Sequence, residues 1–112
     1  FWCPGAATLT EIIHAHELGA AVVKLFPAVQ LGGPAFVKAV MAPCPGIKLM
    51  PTGGVDTSAE NLTAWFNAGV QCVGIGSQLF SKDTLEKKNY KLLSTRMKQM
   101  LQVVKKIRQN NK

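Results

Sequence analysis

Apolar pairs run into a proline three times along the chain, at Trp2-Cys3-Pro4, Leu25-Phe26-Pro27 and Leu49-Met50-Pro51, with the prolines 23 and 24 residues apart. A fourth apolar segment, residues 70–76, ends 25 residues beyond Pro51. Each interval carries helix signals. Thr8 and Glu11 have capping-box spacing ahead of an apolar stretch, residues 9–18, that stops at Gly19. Pro34 can take a first helical position before Phe36, Val37, Val40 and Met41. Thr57 and Glu60 repeat the capping box, and Gly69 closes that helix. A short apolar run follows each helix at once, over residues 20–26, 47–50 and 70–75.

Strand, helix and strand in steps of this length predict βαβ units of a parallel sheet. The strands are almost continuously apolar, as expected when both faces are covered. The expected class is α/β, either a β/α barrel or a doubly wound sheet. A complete (β/α)8 barrel needs at least ~200 residues, so 112 residues form one domain holding about half of one.

Charge adds a separate feature. Lysine and arginine total 13 against 6 acids, a net of +7. Residues 1–81 carry three bases and four acids, so the whole excess lies in residues 82–112. There Leu93, Met97, Met100, Val104 and Ile107 form one apolar stripe at helical spacing, which predicts a terminal basic amphipathic helix over residues 84–108. No aromatic side chain lies between Lys91 and Arg108 to stack on nucleotides, so a docked helix with a solvated cationic face is preferred to a nucleic-acid or membrane-surface helix.

Other classes drop out. No apolar run approaches the ~20 residues of a membrane span. The opening residues lack the basic region and long apolar run of a signal peptide. Cys3, Cys44 and Cys72, odd in number and widely spaced, suit buried thiols in a reducing cytoplasm. His14 and His16 point in different directions on a helix, and no acidic array accompanies them, so neither a metal nor another cofactor is expected.

Three features carry chemistry. Lys24 sits mid-strand, four apolar residues deep, and by the period of two it shares a face with Val22 and Phe26. Burial disfavours a charged amine, and a neutral amine is the nucleophile that attacks carbonyls to form Schiff bases. Lys48 stands in the same register before Pro51, but it follows Pro45-Gly46-Ile47 near the strand entrance, where its head can reach water. Burial favours Lys24. The second feature is Pro51-Thr52-Gly53-Gly54-Val55-Asp56 and the third Gly74-Ile75-Gly76-Ser77, glycine-rich strand ends whose amides can approach an anion. Asp56 reads as a capping residue, and Gly32-Gly33 gives room at the same mouth.

Val23-Lys24-Leu25-Phe26-Pro27-Ala28, Pro51-Thr52-Gly53-Gly54-Val55 and Gly74-Ile75-Gly76-Ser77 together resemble the 2-keto-3-deoxy-6-phosphogluconate (KDPG) and 4-hydroxy-2-oxoglutarate (KHG) aldolases, and Cys3-Pro4-Gly5 with Thr8 is similar to that family's fifth strand end. The resemblance implies the C-terminal half, about strands five to eight, of a (β/α)8 barrel of the class I aldolase type, usually trimeric and working without metal. It implies Lys24 as the Schiff-base lysine, Phe26 lining the pyruvyl pocket, Thr52 binding the keto-acid carboxylate, and Gly53, Gly54, Gly76 and Ser77 holding the phosphate. The substrate would be a small keto acid or phosphorylated sugar acid cleaved to pyruvate and an aldehyde. The family's general acid/base glutamate belongs to strand two, ahead of residue 1, and Glu11 and Glu17 fall on a helix, so residues 1–112 alone are expected to turn over slowly or not at all. The competing expectations are another phosphate-binding β/α barrel, of the thiamine-phosphate synthase or indole-glycerol-phosphate kind, and a non-catalytic half-barrel that assembles or binds nucleic acid.

Overall fold

A computed structural model describes residues 1–111. Three short parallel strands, β1 (Gly5–Ala6), β2 (Val23–Leu25) and β3 (Leu49–Pro51), lie side by side in chain order. Gly5 pairs with Lys24, and Lys24 with Met50. Helices α1 (Leu9–Glu17) and α2 (Gly33–Met41) connect the strands, and α3 (Ala59–Asn67) follows β3. The helices cover one face. Val23, Leu25, Leu49 and Pro51 point into it and are fully buried with Ile12, Val37, Leu62 and Trp65. The alternate positions Gly5, Lys24, Met50 and Thr52 form the other face, which no helix covers.

The strands are shorter than the apolar runs: residues 20–22 and Ile47 lead into the ladder without joining it, and Lys48 adds only its carbonyl, which accepts from the Val23 amide. Residues 70–76 do not form the expected fourth strand; they make a single parallel bridge, Gly74 to Thr52. The chemistry explains the failure. The Gln71 amide donates to the Leu49 carbonyl, but Pro51 has no N–H to return the bond to Gln71. The Gln71 carbonyl instead accepts from Arg108 Nη2 at 2.6 Å. The next amide to reach the Pro51 carbonyl is that of Gly74.

Two helix starts also differ from the sequence pattern. Thr57 does not cap α3; Ser58 does, accepting from the Asn61 amide, while Asp56 fixes the turn by accepting from the Ser58 amide. In place of one helix over residues 84–108 there are two, α4 (Lys82–Glu86) and α5 (Tyr90–Asn110). They part where Lys88 adopts φ 50°, and Asn89 then caps α5. α5 packs on α3 through buried Ile107, with Met100, Val103 and Val104 partly buried against the core. Arg108 lies 5.4 Å from the centre of the Phe66 ring, and Asn111 bonds Asn67, which holds the helix end in place. No helix of the described residues is long and apolar enough to cross a membrane. The three cysteines are half-buried and free.

Thr8 and Glu11 do form the capping box. The Glu11 carboxylate accepts from the Ala7 and Thr8 amides and the Thr8 hydroxyl, and these bonds hold its pKa below the ordinary value, the Ala7 bond most. Its ionised form therefore favours the fold at neutral pH, and that contribution fades as pH falls through the lowered titration range. Thr8→Ala should cost about 1 kcal/mol in urea unfolding at pH 7. The stability advantage of the native chain over Glu11→Gln should narrow steadily in acid; an advantage independent of pH would contradict the capping role.

Candidate functional site

Lys24 owes its place to the strand's period of two. Its neighbours Val23 and Leu25 are drawn under the helices, which leaves the lysine and Phe26 on the uncovered face. Lys24 is half-buried there, less enclosed than a covered strand would make it, with Nζ 5.1 Å from the centre of the Phe26 ring. The ring is 52% exposed. Lys48 is exposed at the entrance of β3, one position before the strand, and its carbonyl accepts from the Val23 amide.

Lys24 and Phe26 line a recess of about 270 Å³ with the β1 end and Glu11. Phe26 is also one wall of a second cleft of about 220 Å³, formed by Thr52, Gly53, Gly54, Val55, Gly74, Gly76, Ser77 and Gln78. The expected site residues thus fall into two neighbouring recesses with an aromatic ring between them. Lys24 lines only the first.

The second cleft is rich in unsatisfied donors. Among the described residues, the amides of Gly53, Gly54, Gly76 and Ser77 donate no hydrogen bond within the chain. Thr52 Oγ1 is buried and has no partner. A buried hydroxyl without a partner costs about 1–3 kcal/mol. The glycines shape the cleft. Gly53 and Gly54 have φ of 90° and 82°, and a Cβ on Gly54 would overlap the Val29 side chain. A Cβ on Gly74 would overlap Thr52 Oγ1, so Gly74 is what lets the hydroxyl sit there.

Sequence reasoning missed Gln78, whose only signal is adjacency to the second glycine turn, and it quoted Val55 within the first glycine motif without giving it a role. It also set Glu11 aside as a helix residue, yet the first turn of α1 brings that carboxylate to the rim of the Lys24 recess. Its oxygen Oε2 is already committed to the Ala7 and Thr8 amides. No trio of His, Cys, Asp or Glu is placed to hold a metal among the described residues.

The sequence model of the KDPG and KHG aldolase family matches residues 1–96. The 2-dehydro-3-deoxy-6-phosphogalactonate aldolase of Escherichia coli K12 is 43% identical over 79 residues, 70% of this chain and 37% of that protein. The 2-dehydro-3-deoxy-phosphogluconate aldolase of Pseudomonas aeruginosa is 41% identical over 85 residues, 75% of this chain and 37% of that protein. A crystal structure of KDPG aldolase from Legionella pneumophila, with pyruvate captured at low pH as a covalent carbinolamine intermediate, superposes with a TM-score of 0.74 at 30% identity over 84% of this chain and 45% of that one. The chain spans less than half the length of these relatives.

Gly54→Ala should destabilise the chain by about 2 kcal/mol or more, since it combines a left-handed backbone with an overlap on Val29. Gly76→Ala, with open space around the new methyl, should stay within ~0.5 kcal/mol in the same urea titration. Equal costs would remove the geometric distinction between the two glycine turns.

Proposed function

Since the chain belongs to the KDPG and KHG aldolase family, we propose that it is the C-terminal half of a (β/α)8 barrel and carries the Schiff-base half of a class I aldolase site. Strands in chain order, with helices on one face only, support the half-barrel reading. The observation that carries the chemistry is the shared face. Lys24 pairs with Met50, so Thr52 stands two residues farther along the neighbouring strand and on the same side, with Phe26 forming a wall of both recesses.

The substrate class is a 2-keto acid with a hydroxyl on C4, 2-keto-3-deoxy-6-phosphogluconate or 4-hydroxy-2-oxoglutarate. The Lys24 amine adds through its lone pair to the C2 carbonyl, and the carbinolamine hydroxyl, taking a proton from solvent, leaves as water to give a protonated imine. Thr52 Oγ1 donates to the substrate carboxylate and fixes C2 against the amine. Phe26 packs on the apolar C3 side. The imine draws the electron pair of the C3–C4 bond as that bond breaks, the C4 hydroxyl gives up its proton, and an aldehyde departs. The remaining enamine takes a proton at C3, and water releases pyruvate and the free lysine. The amides of Gly53, Gly54, Gly76 and Ser77 hold the anionic tail of the substrate, glyceraldehyde 3-phosphate being the aldehyde when that tail is a phosphate. The base that accepts the C4 proton belongs to strand two of the family's barrel, outside residues 1–112. Complete barrels would assemble as trimers, and the free cysteines fit a reducing cytoplasm.

Incubation with pyruvate and borohydride should place one reduced pyruvate on Lys24 and none on Lys48, and Lys24→Met should abolish the label. Thr52→Val should still label but need about 10-fold more pyruvate for half-labelling, the loss of one hydrogen bond to a charged group. A label on Lys48, or one that survives Lys24→Met, would refute the assignment.

A further inference from the structure

α5 is docked as expected, by the side that bears Met100, Val104 and Ile107. Opposite that side run Lys91, Thr95, Lys98, Gln102, Lys105 and Gln109, at spacings of 4, 3, 4, 3 and 4, and all six are exposed. Lys98 is nine residues from buried Ile107, about 180° around a helix of 3.6 residues per turn. The row therefore points away from the core and the sheet. A further helix laid in the same layer would meet the flanks of α5, at Leu92 and Leu101 to either side of the row, and would leave the row itself open.

Solvation alone does not account for this row. An exposed helix surface ordinarily mixes signs, with acids and bases four residues apart. The α4 turn does so, where Lys82 pairs with Glu86 and Lys87 with Asp83. The sequence holds no acid after Glu86, and among the described residues no ion pair forms on α5. The helix macrodipole does not explain the pattern either. It favours Lys105 in the C-terminal half, but it disfavours Lys91, which stands in the first turn. Arg108 is spent internally on the Gln71 carbonyl and the Phe66 ring, whereas the three lysines of the row have no acidic partner.

We infer that this row binds the phosphate backbone of duplex DNA without regard to base sequence. Neighbouring lysines of the row stand about 10.5 Å apart along the helix axis, close to the ~12 Å width of the major groove, so adjacent heads reach phosphates on its two walls. Gln102 and Gln109, between and beyond the lysines, supply neutral donors to phosphate oxygens. A single strand fits poorly, because the row has no aromatic side chain on which bases could stack. An anionic membrane also fits poorly, because the apolar side of α5 is committed to the core and nothing on the row can insert. The surface belongs to α5 alone and goes beyond the aldolase reading, so a failed pyruvate label leaves it standing.

Fluorescence anisotropy of a mixed-sequence DNA duplex of ~24 base pairs, titrated with the whole chain between about 50 and 200 mM KCl, tests it. Binding at the lowest salt should have a Kd of about 10–100 μM, and log K should fall against log salt with a slope of about −2.7, three phosphate contacts at ~0.9 each. Lys98→Gln with Lys105→Gln should bring the slope to about −0.9 and weaken binding at least ~10-fold. Lys98→Arg with Lys105→Arg keeps the charge and should keep the binding. Lys38→Gln with Lys48→Gln removes the same charge from exposed positions elsewhere, and should change the affinity by no more than about twofold. Absence of binding at the lowest salt, equal losses from the two glutamine pairs, or loss of binding in the arginine pair would each overturn the inference. So would tighter binding to a thymidine single strand of the same length, or a preference for phosphatidylserine vesicles over the duplex.

Discussion

Everything chemical in this chain depends on the alternation of side chains along β2. Val23 and Leu25 gain about 1.5–3 kcal/mol each by burial under the helices, and that preference fixes the strand's orientation. A slip of one residue would bury the Lys24 amine in the helix-covered core and expose both aliphatic groups. The lysine thus needs no dedicated anchor. Its direction is set by its neighbours, and the same rule on β3 places Met50 and Thr52 on its side.

From that alternation the site follows in short steps. β2 delivers Lys24 and Phe26, and the next strand delivers Thr52 two residues beyond the partner of Lys24. Thr52 can keep an unpartnered hydroxyl only because Gly74 has no side chain. The turns that follow leave four amides free of internal bonds around one cleft. A lysine, an aromatic ring, a hydroxyl and four free amides are thereby lined up along the strand ends. The helices lie behind the sheet, where they stiffen it without occupying the face that carries Lys24 and Thr52.

Much of this was readable because it is local. The Thr8–Glu11 cap, Pro34 at the start of α2 and the order of the first three strands all depend on residues close in sequence. The misreadings have tertiary causes. Residues 70–76 carry the composition of a strand, but Pro51 on the neighbouring strand cannot donate, and Arg108 captures the carbonyl left over. The α3 cap shifted by one residue because the Asp56 side chain had already claimed the Ser58 amide. Lys24 is more open than a covered strand implies, since the sheet's second face carries no layer. The role of Phe26 as a wall common to two recesses depends on how β2 and β3 align, which no single stretch of sequence encodes.

The account is tested most directly by a crystal structure of the chain soaked in pyruvate. It predicts continuous density from Lys24 Nζ to C2 of the keto acid, with the carboxylate within hydrogen-bonding distance of Thr52 Oγ1 and the methyl group turned toward Phe26. Pyruvate bound without a covalent link, or linked to Lys24 with its carboxylate directed away from Thr52, would contradict the shared face on which the site is built.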